Sequence, residues 1–230
     1  MQAPETRLET RLETVTVETG PSPSFTIIWM HGLGADGHDF EPLVPELVGD
    51  GMPALRFVFP HAPVRPVTIN NGYRMRAWYD IVGIDRRSRE DFAGIGASAA
   101  DIAALIAREN ERGIDTRRIA LAGFSQGGAM ALHLATRHPQ ALAGVIALSC
   151  YLPLSREFET SRHAANQATP IFMAHGTQDP VVPYGLGEES RGLLAGAGYA
   201  VEWHSYPMAH ALCEPEVADV RAFLAKIASA

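Results

Sequence analysis

The stretch Arg118–Ala135, RIALAGFSQGGAMALHLA, decides the fold. RIALAG is a short apolar run of the kind buried in a sheet, and QGGAMALHLATRH has the pattern of a helix stopping before Pro139. Between them Gly123, Gly127 and Gly128 surround Ser125. Glycine costs backbone entropy on folding, so this cluster needs a steric reason. Gly-x-Ser-x-Gly at a strand-to-helix junction supplies one. The serine is held on a strained turn with its hydroxyl exposed, and side chains two positions to either side would collide with the tight crossing. Gly128 would let the helix pack close. Ser125 would also stand near a helix N-terminus, whose partial positive charge favours a developing anion. The plainer reading makes Ser125 only an N-cap.

Outward from this junction, apolar runs alternate with helical patterns. Phe25–Met30, Leu55–Phe59, Gly144–Ser149, Pro170–His175 and Val201–Tyr206 read as further strands. Phe40–Val48 reads as a short helix despite Pro42 and Pro45. Glu90–Arg112, Leu186–Gly196 and Glu214–Ile227 read as longer ones. This alternation predicts an α/β fold, a mostly parallel sheet with helices on both faces. Residues 1–24 read as a charged arm running into an edge strand, closed by GPSPS. No linker divides the chain, so residues 1–230 are expected to form a single domain. Arg65–Ile81 reads as irregular and aromatic, Asp85–Arg89 as a solvated charged loop, and Ser88 with Asp91 as a variant capping box. A lid-like segment is expected within Pro63–Asp91.

The 230 residues include 47% hydrophobic and 20% charged, an ordinary globular balance with enough chain for a large core. The formal net charge of −7 argues against nucleic acid as a partner. Cys150 and Cys213 cannot make a disulfide framework and read as free, structural thiols. The N-terminus lacks a secretory pattern and no apolar run is long enough to span a bilayer, so a cytoplasmic location is expected.

A nucleophilic serine needs a base, and the base an orienting acid. In the α/β-hydrolase arrangement the chain order is serine, acid, histidine. Downstream of Ser125, FMAHGTQDPVVP puts Asp179 in the loop after an apolar strand, and SYPMAHALC puts His210 after the last one. Alone, Asp179 could be a turn residue before Pro180 and His210 a surface residue. Together the three have the required types and order, each at the carboxyl end of a predicted strand, where open α/β sheets hold ligands. His133, His138, His163, His175 and His204 fit the base role less well by position. The early loop WMHGLGADG suggests an oxyanion hole built from the backbone N–H groups of Leu33, or a close neighbour, and Gln126. Gly32–Gly37 also matches Gly-x-Gly-x-x-Gly, a dinucleotide signal. However, the next strand, LRFVF, ends in Pro60-His61 without the acid that a ribose would need. No His, Cys or acid cluster has metal-ligand spacing.

HGLGADGHDF, RAWYDI, LAGFSQGGAMAL, LSCYLP, HGTQDPVVP and MAHALC strongly resemble the carboxylesterase/acyl-protein thioesterase family, the lysophospholipase-like esterases, over Phe25–Leu224. The likeness is greatest to the small bacterial carboxylesterases. It implies an α/β-hydrolase fold with little or no cap. It also implies a Ser125–Asp179–His210 triad, oxyanion donors at Leu33 and Gln126, and no cofactor or metal. Carried over, Leu33, Trp78, Phe124 and Val182 would line an apolar acyl pocket. Arg76 stands where relatives often have proline, so the pocket-side loop is expected to differ in shape. The implied activity is cleavage of carboxylic esters with short to medium acyl chains through an acyl-enzyme. Acyl-protein thioesterase or lysophospholipase activity is the alternative, with serine peptidase ranked lower. A non-catalytic hydrolase-fold binding protein is the reading outside enzymology. The expected partner is a small ester or thioester, and apolar side chains in Pro63–Ile81 offer a candidate homodimer face.

Overall fold

The computed structural model describes residues 12–83 and 89–229. Among these residues nine strands form: β1 (Thr14–Glu18), β2 (Phe25–Met30), β3 (Leu55–Pro60), β4 (Val64–Val67), β5 (Tyr73–Arg76), β6 (Ile119–Phe124), β7 (Gly144–Leu148), β8 (Ile171–Gly176) and β9 (Val201–Tyr206). The α-helices are α1 (Val44–Leu47), α2 (Phe92–Glu111), α3 (Gln126–Ala135), α4 (Phe158–Ser161), α5 (Tyr184–Gly196) and α6 (Glu214–Ala228). The main sheet has the order β1-β3-β2-β6-β7-β8-β9. Its strands run parallel except β1, which pairs antiparallel with β3 at the edge.

Successive residues of a strand point to opposite faces, and the inner strands are apolar on both. Ile28, Met30, Leu121, Val145 and Met173 pack with residues of α2, α3 and α5, among them Ile102, Leu132 and Leu194. Ile27, Trp29, Ala122, Ile146 and Phe172 face the other way, onto Leu47 of α1 and Val220, Phe223 and Leu224 of α6. Each large side chain so enclosed stabilises the fold by about 1.5–3 kcal/mol. The register places the ends of the central strands level, with Met30 opposite Gly123, Phe124 opposite Leu148, and Gly176 opposite Tyr206. The loops carrying Leu33, Ser125, Asp179 and His210 therefore leave from one rim.

Two local expectations are corrected. Arg65–Ile81 is not irregular throughout: β4 and β5 make an antiparallel hairpin from Val64↔Arg76 to Val67↔Tyr73. Asn71 (φ 54°) and Gly72 (φ 75°) supply its left-handed turn, and Pro66, which cannot donate to a ladder, masks the strand pattern. The cap of α2 is Asp91 itself. Its Oδ1 accepts the Gly94 N–H at 2.9 Å, and its Oδ2 accepts the Asp80 N–H at 2.9 Å. The proposed partner Ser88 lies outside the described residues, as do the arm through Arg11 and most of the Asp85–Arg89 loop.

Candidate active site

Ser125 sits between β6 and α3 with φ 54° and ψ −119°, a conformation that costs a side-chain-bearing residue about 1–3 kcal/mol. It is held there by its N–H donating to Leu148 O at 2.8 Å and its carbonyl accepting from Ala129 N–H at 3.0 Å. Its side chain makes no capping bond, so the N-cap reading does not explain it. The glycines have the expected steric cause. A Cβ on Gly123 would overlap the Gly127 backbone, and one on Gly127 would overlap the Met30 carbonyl. One on Gly128 would come within 2.9 Å of both Gly123 O and Cys150 Sγ.

Asp179 and His210 are brought together by their loops. Thr177 N–H donates to Tyr206 O at 2.8 Å and Gln178 N–H to Met208 O at 3.1 Å, tying the segment after β8 to that after β9. Gly176 is required at this crossing, because a Cβ there would meet the carbonyl oxygens of Met208 and Ala209. The Asp179 carboxylate is wholly enclosed. Its Oδ1 accepts the N–H groups of Val181 (2.8 Å) and Val182 (2.9 Å), and its Oδ2 lies 2.6 Å from His210 Nδ1. Because a carboxylate only accepts, this bond assigns the proton to Nδ1 and leaves Nε2 as the basic nitrogen. The Phe124 ring, one residue before Ser125, packs on the His210 imidazole at 4.7 Å between centroids.

Two further histidines shape the site. His175, at the end of β8, is buried, with Nε2 2.9 Å from Val182 O and 3.5 Å from Asp179 Oδ2. Burial lowers its pKa, which favours the neutral ring. His31 Nδ1 lies 2.7 Å from Gly32 O, while Nε2 accepts the Ala62 N–H at 3.0 Å, so the ring is neutral and braces the Gly32–Leu33 turn. Burial pushes its pKa down to about 4. Both histidines stand in a His-Gly pair at the end of an apolar strand run, in WMHG and MAHG, a repeated signal that position-by-position screening for a base passes over.

In the Leu33 loop, Gly34 N–H donates to Arg76 O at 2.9 Å and Ala35 N–H to Gly32 O at 3.3 Å. The first of these bonds ties the loop to the β4–β5 hairpin. A Cβ built on Gly32 would lie 3.5 Å from Ser125 Cβ, so this loop runs against the serine. The Gln126 side chain has a role not anticipated from sequence. Its Oε1 accepts the Trp78 N–H and its Nε2 donates to Tyr79 O, both at 2.8 Å.

A cavity of about 410 Å³ opens beside His210 and Phe124. Phe40, Pro42, Leu43, Ala211 and Leu212 also line it, with Asp39 and Glu46. Of the four expected pocket residues only Phe124 borders it. Trp78 is wholly enclosed in the core, its indole N–H donating to His31 O at 2.9 Å, so it supports the Leu33 loop from behind. Val182 is buried and holds Asp179 through its backbone.

Comparison with known proteins agrees with this fold. The phospholipase/carboxylesterase family profile matches residues 13–228. Acyl-protein thioesterase 1 of Neurospora crassa is 44% identical over 208 residues, 86% of this chain and 85% of that protein. The crystal structure of Arabidopsis thaliana SOBER1 superposes with a TM-score of 0.84 at 28% identity, covering 88% of this chain and 98% of that one. Zea mays acyl-protein thioesterase 2 superposes with a TM-score of 0.81 at 28% identity, covering 94% and 99%. With its parallel sheet and strained serine elbow, this chain belongs to the phospholipase/carboxylesterase family of α/β-hydrolases.

Proposed function

We propose that the chain hydrolyses acyl thioesters and carboxylic esters through a covalent acyl-enzyme, with Ser125 as nucleophile, His210 as base and Asp179 as orienting acid. The observation that carries this reading is the 2.6 Å bond from Asp179 to His210 Nδ1, on a loop packed against the elbow of a strained serine. His210 Nε2 takes the Ser125 proton as Oγ attacks the acyl carbonyl. The oxyanion is held by the backbone N–H groups of Leu33 and Gln126, each such donor being worth about 3–4 kcal/mol. Imidazolium then protonates the departing oxygen or sulfur, and water repeats the sequence on the acyl-enzyme. Asp179 keeps the tautomer and stabilises the imidazolium.

Sequence reading alone ranks simple esters first. The 44% identity to a protein named acyl-protein thioesterase 1 supports moving thioesters to the front. The experiment compares kcat/KM for acyl-matched oxygen and sulfur substrates in the native protein and in Ser125→Ala. The expected result is preference for the thioester, with both activities lost in the variant. Full activity in Ser125→Ala would sink the assignment.

A further inference from the structure

We infer that the cavity beside His210 is a leaving-group subsite selecting alcohols or thiols that carry a positive charge, through Asp39 and Glu46. This rests on the proposed hydrolase reading and adds a substrate class to it. The group that protonates a leaving atom must lie within hydrogen-bond reach of it, so the departing part of the substrate occupies the His210 side of the scissile bond. The cavity borders His210 and Phe124 and does not reach the Leu33 turn.

Its walls are apolar at Phe40, Leu43, Phe124 and Leu212, and apart from His210 its only ionisable side chains are Asp39 and Glu46, both acidic. Both residues are exposed at the cavity mouth, and neither carboxylate has an ion-pair or hydrogen-bond partner among the described residues. Glu41 on the same segment, by contrast, is engaged by His38 at 2.7 Å. Partial burial and the nearby Asp36 carboxylate raise the pKa of Asp39, as expected for a negative charge with no cation beside it. An uncharged leaving group would cover these carboxylates without compensating them, and an anionic one would be repelled. An ammonium is attracted by both carboxylates. About 410 Å³ is room for such a group together with its carbon linker.

The test uses three butanoyl thioesters that share an acyl group: of thiocholine, of its neutral isostere 3,3-dimethylbutanethiol, and of 3-mercaptopropionate. At low salt the expected order of kcat/KM is cationic, neutral, anionic. The cation should exceed its isostere by about fivefold, the scale of two partly exposed charge pairs. That ratio should shrink at high salt and fall to within about twofold in Asp39→Asn/Glu46→Gln. Equal kcat/KM for the cation and its isostere in the native protein, or a ratio untouched by the double variant, would overturn the subsite while leaving the hydrolase reading intact. Hydrolysis of none of the three above the Ser125→Ala background would overturn both.

Discussion

Asp179 has a donor for each oxygen, and that limits what can replace it. Oδ1 takes two backbone N–H groups and Oδ2 takes His210, with His175 close behind. Asp179→Asn keeps the volume but must turn an NH₂ either to the Val181 and Val182 amides or to His210 Nδ1. In the second case the imidazole carries its proton on the wrong nitrogen. We expect kcat to fall by about 10⁴-fold with the fold retained, measured by steady-state kinetics beside near-ultraviolet circular dichroism. Glu216 is the opposite case. It is buried with neither carboxylate oxygen partnered, and burial pushes its pKa up to about 8. The placement of Ser125, Asp179 and His210, each after an apolar strand and at one rim of the sheet, was legible from their order along the chain. The two N–H groups on Oδ1 were not, because they are backbone donors of Asp179's own turn, and a sequence does not show which way a turn aims its amides.

The elements around the serine are joined by few but buried bonds. Gln126 opens α3 and holds the segment after β5 through Trp78 N–H and Tyr79 O. Asp91 caps α2 while binding Asp80 N–H in the same segment. Gln126→Ala would leave a buried N–H and a buried C=O unpaired, each costing about 1–3 kcal/mol. We therefore expect a loss of about 2–6 kcal/mol in urea unfolding. We also expect a drop in kcat beyond the stability effect, since this residue's backbone amide is a proposed oxyanion donor. A variant as stable and active as the parent would show that the bridge is dispensable. At this scale the longer strands and helices were legible from apolar runs and helical periodicity. The hairpin was hidden by Pro66, although Asn71-Gly72 carried the turn signal. The inward placement of Trp78 could not be read, because a tryptophan beside a loop suits a pocket wall as well as a core.

For the whole molecule, strand–helix alternation made a parallel α/β sheet legible but not its order, since each pairing joins residues far apart in sequence. The same packing sets the pH range of stability, because it encloses titratable groups in their neutral forms. Burial lowers His31 to about 4 and His133 to about 3, and His31 uses its unprotonated Nε2 to accept the Ala62 N–H. Below pH 6.5 the unfolded chain binds protons that the folded chain refuses, so stability falls as pH drops from about 6.5 toward 4, by up to about 1.4 kcal/mol per unit for each histidine. Glu216 acts with the other sign. Its folded form keeps a proton that the unfolded form releases above the usual carboxylate pKa near 4.5, so its contribution is complete below that pH and lost as pH rises through about 8. The two slopes together predict a stability maximum in the weakly acidic to neutral range. Unfolding free energies from urea titrations at pH 4 to 9 should trace that dome. Glu216→Gln, which fixes an uncharged group of the same size, should flatten the alkaline limb and leave the acid limb in place. An alkaline limb of unchanged slope in this variant would assign that loss to other groups.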